Sequence, residues 1–238
     1  MDEREKRWKT ARCGNITSSS LAKLCTKGTK GREYGDQALG YLYEKMYERR
    51  TGKPIRNDDN KNFRWGHEQE EVAMAWLGEN TMWYISDCTR DGKDIVFVKP
   101  WPDVKYGDSP DFYVLSEDGG CVLAVGEIKC VVSQSKFEKY RLSTPADLID
   151  EYKEQLAAHL MAHPGVDTLY YVIYDGQAED DELDLIDPMD ASRGIIIKYT
   201  RSDFGDLISW MEDKIRECDA AVDEAIRLGV KIETILNN

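Results

Sequence analysis

The sequence predicts an α/β (α+β) domain: a mixed central sheet flanked by helices, with an N-terminal helical part. Three observations predict it. Through residues 1–78 apolar side chains recur at helical spacing. From residue 79 short runs rich in β-branched and aromatic residues alternate with turn residues. A long helical stretch then lies between two groups of such runs, the pattern of a helix crossing over between strands of one sheet. The expected organisation is one domain over 1–238: a helical part at 1–78, a sheet core with its crossover helix at 79–200, and a C-terminal helix at 201–238.

The elements follow in order. Thr17 to Leu24 reads as a short helix, with Thr17 or Ser18 as N-cap and Leu21 and Leu24 facing inward. Thr26–Arg32 is a basic loop. Gly35–Arg50 is a second helix, with Leu39, Leu42, Tyr43 and Met46 on its apolar face. Thr51–Asn62, with Gly52 and Pro54, is a connection. Trp65–Leu77 is a third helix. Strands are expected at Met82–Ser86, Ile95–Val98, Phe112–Leu115 and Val122–Ile128, the last two joined across Gly119-Gly120. The crossover helix has Thr144 as N-cap and Pro145 at its first position, and it runs to Met161. Thr168–Tyr174 and Ile195–Tyr199 are strands around an acidic loop at Gln177–Asp190. A last helix opens at Ser202 or Asp203 and ends at Gly229.

Composition limits what the chain does. It has 238 residues, enough for a proper core, with 41% hydrophobic and 32% charged residues. No apolar run reaches the roughly 18 residues of a membrane helix, and Met1–Thr10 lacks a signal-peptide core. A cytoplasmic protein without a membrane partner is expected. Its six cysteines show no Cys-x-x-Cys spacing and read as free thiols rather than a zinc or iron–sulfur site. The net charge of −13 argues against simple electrostatic adhesion to DNA. That charge is uneven, however. Residues 1–60 carry 14 Lys+Arg against 9 Asp+Glu, so a basic N-terminal part, fit for a local nucleic-acid track, adjoins an acidic body.

The chemistry concentrates at Gly107-Asp108-Ser109-Pro110-Asp111, followed 16 residues later by Glu127-Ile128-Lys129. Asp111 begins one expected strand; Glu127 and Lys129 end the next. Two apart on a strand, Glu127 and Lys129 share a face, and hairpin pairing brings Asp111 beside them. Two carboxylates and an ammonium suit phosphodiester cleavage. Carboxylate oxygens, with the Ile128 carbonyl, hold hard cations such as Mg²⁺. The cation acidifies a water and neutralises phosphoryl charge, while Lys129 steadies the transition state. Bland readings exist for each residue alone: a turn aspartate and an exposed strand face.

Other residues support the site. Glu68 and Glu70 begin a helix but do not share a face, so at most one points at a metal; acids at a helix start are also favoured by the dipole. Gln155 and His159 lie four apart on one side of the crossover helix, although a polar helix face is an alternative. Arg12, followed by the Gly14-Asn15 turn and the hydroxyls of Thr17 to Ser20, fits phosphate binding at a helix start; plain capping would account for one hydroxyl.

Together, Arg12-Cys13-Gly14-Asn15-Ile16-Thr17-Ser18-Ser19, Trp65-Gly66-x-x-x-Glu70, Ser109-Pro110-Asp111, Glu127-Ile128-Lys129 and Gln155 resemble, in order and spacing, the family of lambda-type exonucleases and YqaJ-type viral recombinases, within the PD-(D/E)xK nuclease superfamily. The resemblance runs from about Trp8 to Tyr174. It implies a restriction-endonuclease-like core. It further implies Asp111 and Glu127 as metal ligands, Lys129 as catalytic lysine, Glu70 as supporting carboxylate and Gln155 as the helix glutamine that helps hold the site. Arg12, Ser19 and Ser109, with Thr17 in the same turn, correspond to a 5′-phosphate pocket, and Phe63 to an apolar wedge at the terminal base pair. The implied activity is 5′→3′ digestion of one strand of duplex DNA in phage or prophage recombination. It requires Mg²⁺, or Mn²⁺ as a substitute, as two ions, and leaves a 3′ overhang for a strand-annealing protein. The implied assembly is a homotrimeric ring. One departure is that RecB-like nucleases place a tyrosine four residues after the glutamine, where this chain has His159. The alternatives are a structure-specific or endonucleolytic enzyme on the same core, and a DNA-end-binding module without catalysis.

Overall fold

The computed structural model of the protein describes residues 3–29, 31–55, 61–88, 96–176 and 191–236. The N-terminal part is helical: α1 (Glu3–Arg12), the two-residue strand β1 (Ile16–Thr17), α2 (Leu21–Leu24), α3 (Asp36–Thr51) and α4 (Lys61–Asn80). Then come β2 (Tyr84–Asp87), β3 (Tyr106–Gly107), β4 (Phe112–Leu115), β5 (Val122–Val131), α5 (Gln134–Arg141), α6 (Pro145–Ala162), β6 (Thr168–Asp175), β7 (Gly194–Thr200), α7 (Leu207–Leu228) and α8 (Ile232–Leu236).

Among the described residues, β2-β4-β5-β6-β7 form one mixed sheet in that order. Its β5–β6 pair is parallel and its other pairs are antiparallel. The parallel pair is the one that needs a crossover, and α6 supplies it. The expected mixed sheet flanked by helices is therefore observed. Thr144 caps α6 in a reciprocal capping box with Asp147, and Pro145 takes the first position.

Both sheet faces are covered. On one, Val125, Val131, Tyr171 and Ile173 pack with α6, α7 and the small helices of the N-terminal part. On the other, Phe112, Ile128 and Val172 pack with Ala73, Trp76 and Leu77 of α4. The period-two alternation of β5 thus directs Glu127 and Lys129 toward α6 and Ile128 toward α4.

Several elements depart from expectation. No helix was expected at Glu3–Arg12, whose side chains are polar and whose helical periodicity is absent. The helix expected over Thr17–Leu24 shrinks to the four residues of α2 after a 3₁₀ turn at Ser18–Ser20. The reason is that Ile16 and Thr17 pair in parallel with Tyr106 and Gly107; neither Thr17 nor Ser20 caps through its side chain. The strand at 95–98 is reduced, among the described residues, to a single bridge between Val98 and Asp108. α5 was not foreseen either, its Phe137 and Tyr140 being too sparse a stripe among charges. The last helix starts at Leu207 because Arg201–Phe204 forms a 3₁₀ turn first.

Gly126 holds a close contact on which the site depends. A Cβ there would lie 2.1 Å from the ring of Phe112, the fully buried residue that follows Asp111. Gly126→Ala should therefore displace the Phe112 ring and cost about 1–3 kcal/mol of stability. A urea titration should show a lowered midpoint at an unchanged slope.

Candidate active site

The β4–β5 hairpin brings the expected residues together. Phe112 pairs with Gly126, and the Asp111 amide donates to the Gly126 carbonyl at 3.0 Å. Asp111 therefore stands one residue before the start of β4, opposite Glu127 and Ile128. Its Oδ2 accepts the Ile128 amide at 2.7 Å. Because N–H and C=O of one strand residue project to the same side, the Ile128 carbonyl also faces Asp111.

Glu127 is 2% exposed, and three donors hold it. Lys129 Nζ and Gln155 Nε2 reach Oε1, the latter at 2.5 Å, and His159 Nε2 reaches Oε2 at 2.8 Å. Gln155 and His159 are thus delivered to one carboxylate by adjacent turns of α6. That helix breaks its regular conformation once, at Tyr152, with φ −130° and ψ 22°. The break places the Tyr152 ring 5.3 Å from Lys129 Nζ.

Sequence reasoning singled out His159 without giving it a role, and it missed Asp108. The two form the far side of the cluster. His159 Nδ1 lies 3.0 Å from Asp108 Oδ2, so the buried ring spans two carboxylates. Carboxylates only accept, so both ring nitrogens must donate, which makes the ring an imidazolium. Burial opposes that charge; Asp108 and Glu127 outweigh it and push the His159 pKa up to about 10. Burial likewise opposes charge on Glu127, but Lys129 and His159 bring its pKa down to about 2. Asp111 goes the other way. Burial, reinforced by Glu127 and Glu70, pushes its carboxyl well above the usual range. Glu70, on α4, thus acts electrostatically on Asp111.

Among the described residues, no group of three or more His, Cys, Asp and Glu side chains is gathered tightly enough to hold a metal by itself. The donor set still fits a hard cation. Asp111, Glu127 and the Ile128 carbonyl offer oxygen only, and Mg²⁺ keeps several of its waters. The raised Asp111 carboxyl marks convergent negative charge that a divalent cation would relieve.

The second expected group is brought near the first. Arg12 Nη2 donates to Ser19 Oγ at 2.6 Å, its guanidinium stacks 4.1 Å over the Trp8 ring, and it lies within electrostatic reach of Asp108 and Glu127. The turn between Arg12 and Ser19 is gripped from below. The Gly14 amide donates to Glu48 Oε2 at 2.9 Å, and its carbonyl accepts from Arg49 Nε at 2.8 Å. Gly14 has φ +75°, and a Cβ there would meet Arg49 Cγ at 3.1 Å. Arg49 also bonds Asp219 and Asp223 of α7. Ser109 is less committed to this group, since its Oγ donates to the Val96 carbonyl at 3.0 Å. Thr17 is buried, with its hydroxyl 3.5 Å from that of Tyr41 and its amide donating to Tyr41. It shapes the turn and presents no free hydroxyl. The expected dipole contribution is also small, because α2 has a single turn. The side chain of Phe63 lies outside the described residues.

The YqaJ-like viral recombinase domain family matches residues 7–163. No match was found among the curated proteins. Among solved structures the chain is similar to an alkaline exonuclease, LHK-Exo, from Laribacter hongkongensis, at 22% identity and a TM-score of 0.69, covering 94% of this chain and 95% of that one. The same figures hold for LHK-Exo in complex with dAMP. A phage related exonuclease from Haemophilus somnus 129PT aligns at 15% identity and a TM-score of 0.63, over 90% of this chain and 95% of that one.

The buried imidazolium generates a stability prediction. His159→Ala leaves Asp108 and Glu127 without their shared counter-charge, and at pH 6 should cost about 3–5 kcal/mol, read by urea unfolding in the absence of metal. The raised pKa fixes the pH dependence. The wild-type contribution is complete below the ordinary histidine value near 6.5 and is lost as pH rises through about 10. The gap between wild type and variant should therefore narrow across that window.

Proposed function

Since the chain belongs to the YqaJ-like viral recombinase domain family, we propose that it is a Mg²⁺-dependent 5′→3′ exonuclease acting on duplex DNA ends in phage or prophage recombination. The observation that carries this reading is the convergence of Asp111, Glu127 and Lys129 on one hairpin, with Gln155 holding Glu127. The structural neighbours, an alkaline exonuclease and a phage related exonuclease, agree with it.

The residues divide the work. Asp111, Glu127 and the Ile128 carbonyl would hold Mg²⁺ or Mn²⁺, as two ions when complete, with Glu70 in support. The cation supplies Lewis acidity toward the phosphate and acidifies a water. Gln155 and His159 fix the Glu127 carboxylate so that its position need not be found during the reaction. Lys129 is 28% exposed at its side chain and pairs with Glu127, which leaves its ammonium positioned toward an incoming phosphate. Arg12 with Ser19 would receive the terminal 5′-phosphate, and Ser109 would join after turning from Val96. A guanidinium already desolvated and stacked on Trp8 loses little on meeting an anion. The basic N-terminal part and acidic body suit a closed ring, here a homotrimer with DNA inside, and the 3′ overhang would pass to a strand-annealing protein. An exonuclease is favoured over an endonucleolytic relative by the Arg12–Ser19 pair beside the catalytic cluster.

Lys129→Ala should lower kcat on linear duplex by at least about 10²-fold while DNA affinity stays near that of wild type; near-normal turnover sinks the assignment. Chelator should abolish activity, and Ca²⁺ should bind yet support little turnover.

End selection has its own test. Charge-assisted bonds to a dianionic phosphate are worth about 1.5–3 kcal/mol each. A 5′-phosphorylated duplex should thus be digested about tenfold or more faster than a 5′-hydroxyl duplex. Arg12→Ala should remove most of that ratio, chiefly by slowing the phosphorylated substrate. Equal wild-type rates on the two ends would leave Arg12 a structural residue.

A further inference from the structure

A cavity of about 220 Å³ opens beside Lys129, walled by Val131 and by three tyrosines, Tyr140, Tyr152 and Tyr171. It has room for one planar base or several waters. Its walls are fixed. Lys136 Nζ lies 2.7 Å from Glu151 Oε1, and the Tyr140 hydroxyl donates to the other oxygen of the same carboxylate. The Tyr152 ring stands 5.9 Å from that of Tyr171 and is presented by the break in α6. Tyr171 is 1% exposed, and the little surface it keeps lines the cavity. A phenol so placed offers a hydroxyl as well as a ring. Here both can face whatever occupies the open space.

The cavity has a direction relative to the cluster. Arg12 lies within reach of Asp108 and Glu127. Along α6, Tyr152 lines the cavity, Gln155 and His159 hold Glu127, and the Ala158 carbonyl accepts from Tyr106, whose hydroxyl meets that of Ser18 beside Ser19, so the cavity and the Arg12–Ser19 turn lie toward opposite ends of the cluster. On the proposed reading, a strand whose 5′-phosphate rested on Arg12 would cross Asp111 and Glu127 at its first phosphodiester, and its next nucleotide would arrive at Lys129.

We propose that this cavity is a nucleobase subsite for the nucleotide immediately 3′ of the scissile phosphate, with the base against Tyr152 and the Tyr171 hydroxyl bonded to the base edge. The proposal rests on the reading of the cluster as a 5′→3′ nuclease. Stacking on aromatic side chains tolerates every base, because each has a π-face, which suits an enzyme that must digest any sequence. A base held there would also keep the scissile phosphate in register with Lys129 while the shortened strand advances.

The test uses full-length protein and three 5′-phosphorylated duplexes: intact, abasic (tetrahydrofuran) at the second nucleotide, and abasic at the first. Initial rates are measured for wild type, Tyr152→Leu and Tyr171→Phe. Wild type should cut the second-position abasic duplex about tenfold more slowly than intact DNA, with a smaller effect at the first position. In Tyr152→Leu that penalty should fall toward one. Any loss caused through Lys129 affects both substrates and cancels in the ratio. Tyr171→Phe keeps the ring and its packing, and should reduce the penalty about threefold. Equal wild-type rates on intact and second-position abasic DNA overturn the subsite and leave the nuclease reading standing. A penalty at the first position alone assigns the cavity to the released nucleotide and overturns the proposal. So does a second-position penalty that survives in both variants. No cleavage of intact DNA by wild type overturns the nuclease reading, and the subsite with it.

Discussion

Keeping anions ionised inside a protein is the constraint on which this structure turns. Asp108 and Glu127 are almost fully buried, and an isolated buried carboxylate is costly enough that it ordinarily takes up a proton instead. His159 answers for both at once, one ring nitrogen to each, and Lys129 answers again for Glu127. The arrangement dictates much of the fold around it. α6 must cross the sheet with Gln155 and His159 turned toward β5, β5 must run through Gly126 so that Phe112 can close beneath it, and Asp108 must reach the ring from the segment leading into β4. Asp111 receives no such cation of its own and is held as an acceptor of the Ile128 amide. Burial thus opposes charge at both carboxylates, and the two differ because Lys129 and His159 overcome it at Glu127 while neighbouring carboxylates add to it at Asp111.

The same residues show what was legible in the sequence. Asp111, Glu127 and Lys129 could be read because their relation is local: a two-residue period on a strand and a hairpin closed at Gly119-Gly120. Gln155 and His159 were legible as a pair for a similar reason, one helical turn apart. Asp108 was not, for its partner lies 51 residues away and a single aspartate before Ser-Pro looks like any turn residue. The mixed sheet followed from the order of periodicities, but the short pairing of Ile16-Thr17 with Tyr106-Gly107 did not. It consumed residues whose local chemistry favoured a helix start, a case of tertiary contact overriding propensity. α1 and α5 carry too few apolar residues to announce themselves, and their polar faces resemble loops.

The turn between Arg12 and Ser19 shows a related limit. Arg12 and Ser19 were recognisable as types suited to anions, while the grip on Gly14 by Glu48 and Arg49 has no local signature. Glu48 receives Lys45 as well, in a pair that is buried on both sides. Such pairs add little net stability over an apolar core but do enforce one arrangement. That is what a turn holding Arg12 beside the Asp108–Glu127 cluster requires.

Arg49 also ties the active end of the molecule to its tail. Its guanidinium reaches Asp219 and Asp223 on α7, beyond residue 163 where the family match stops. A helix without any recognisable motif therefore braces the turn that carries Arg12. Changes on its inner face would reach Arg12 indirectly, through the backbone of Gly14. Homologues that alter or replace this C-terminal helix would have to find another brace for the same turn, so the tail is a place where relatives sharing every catalytic residue could diverge in how firmly they grasp an end.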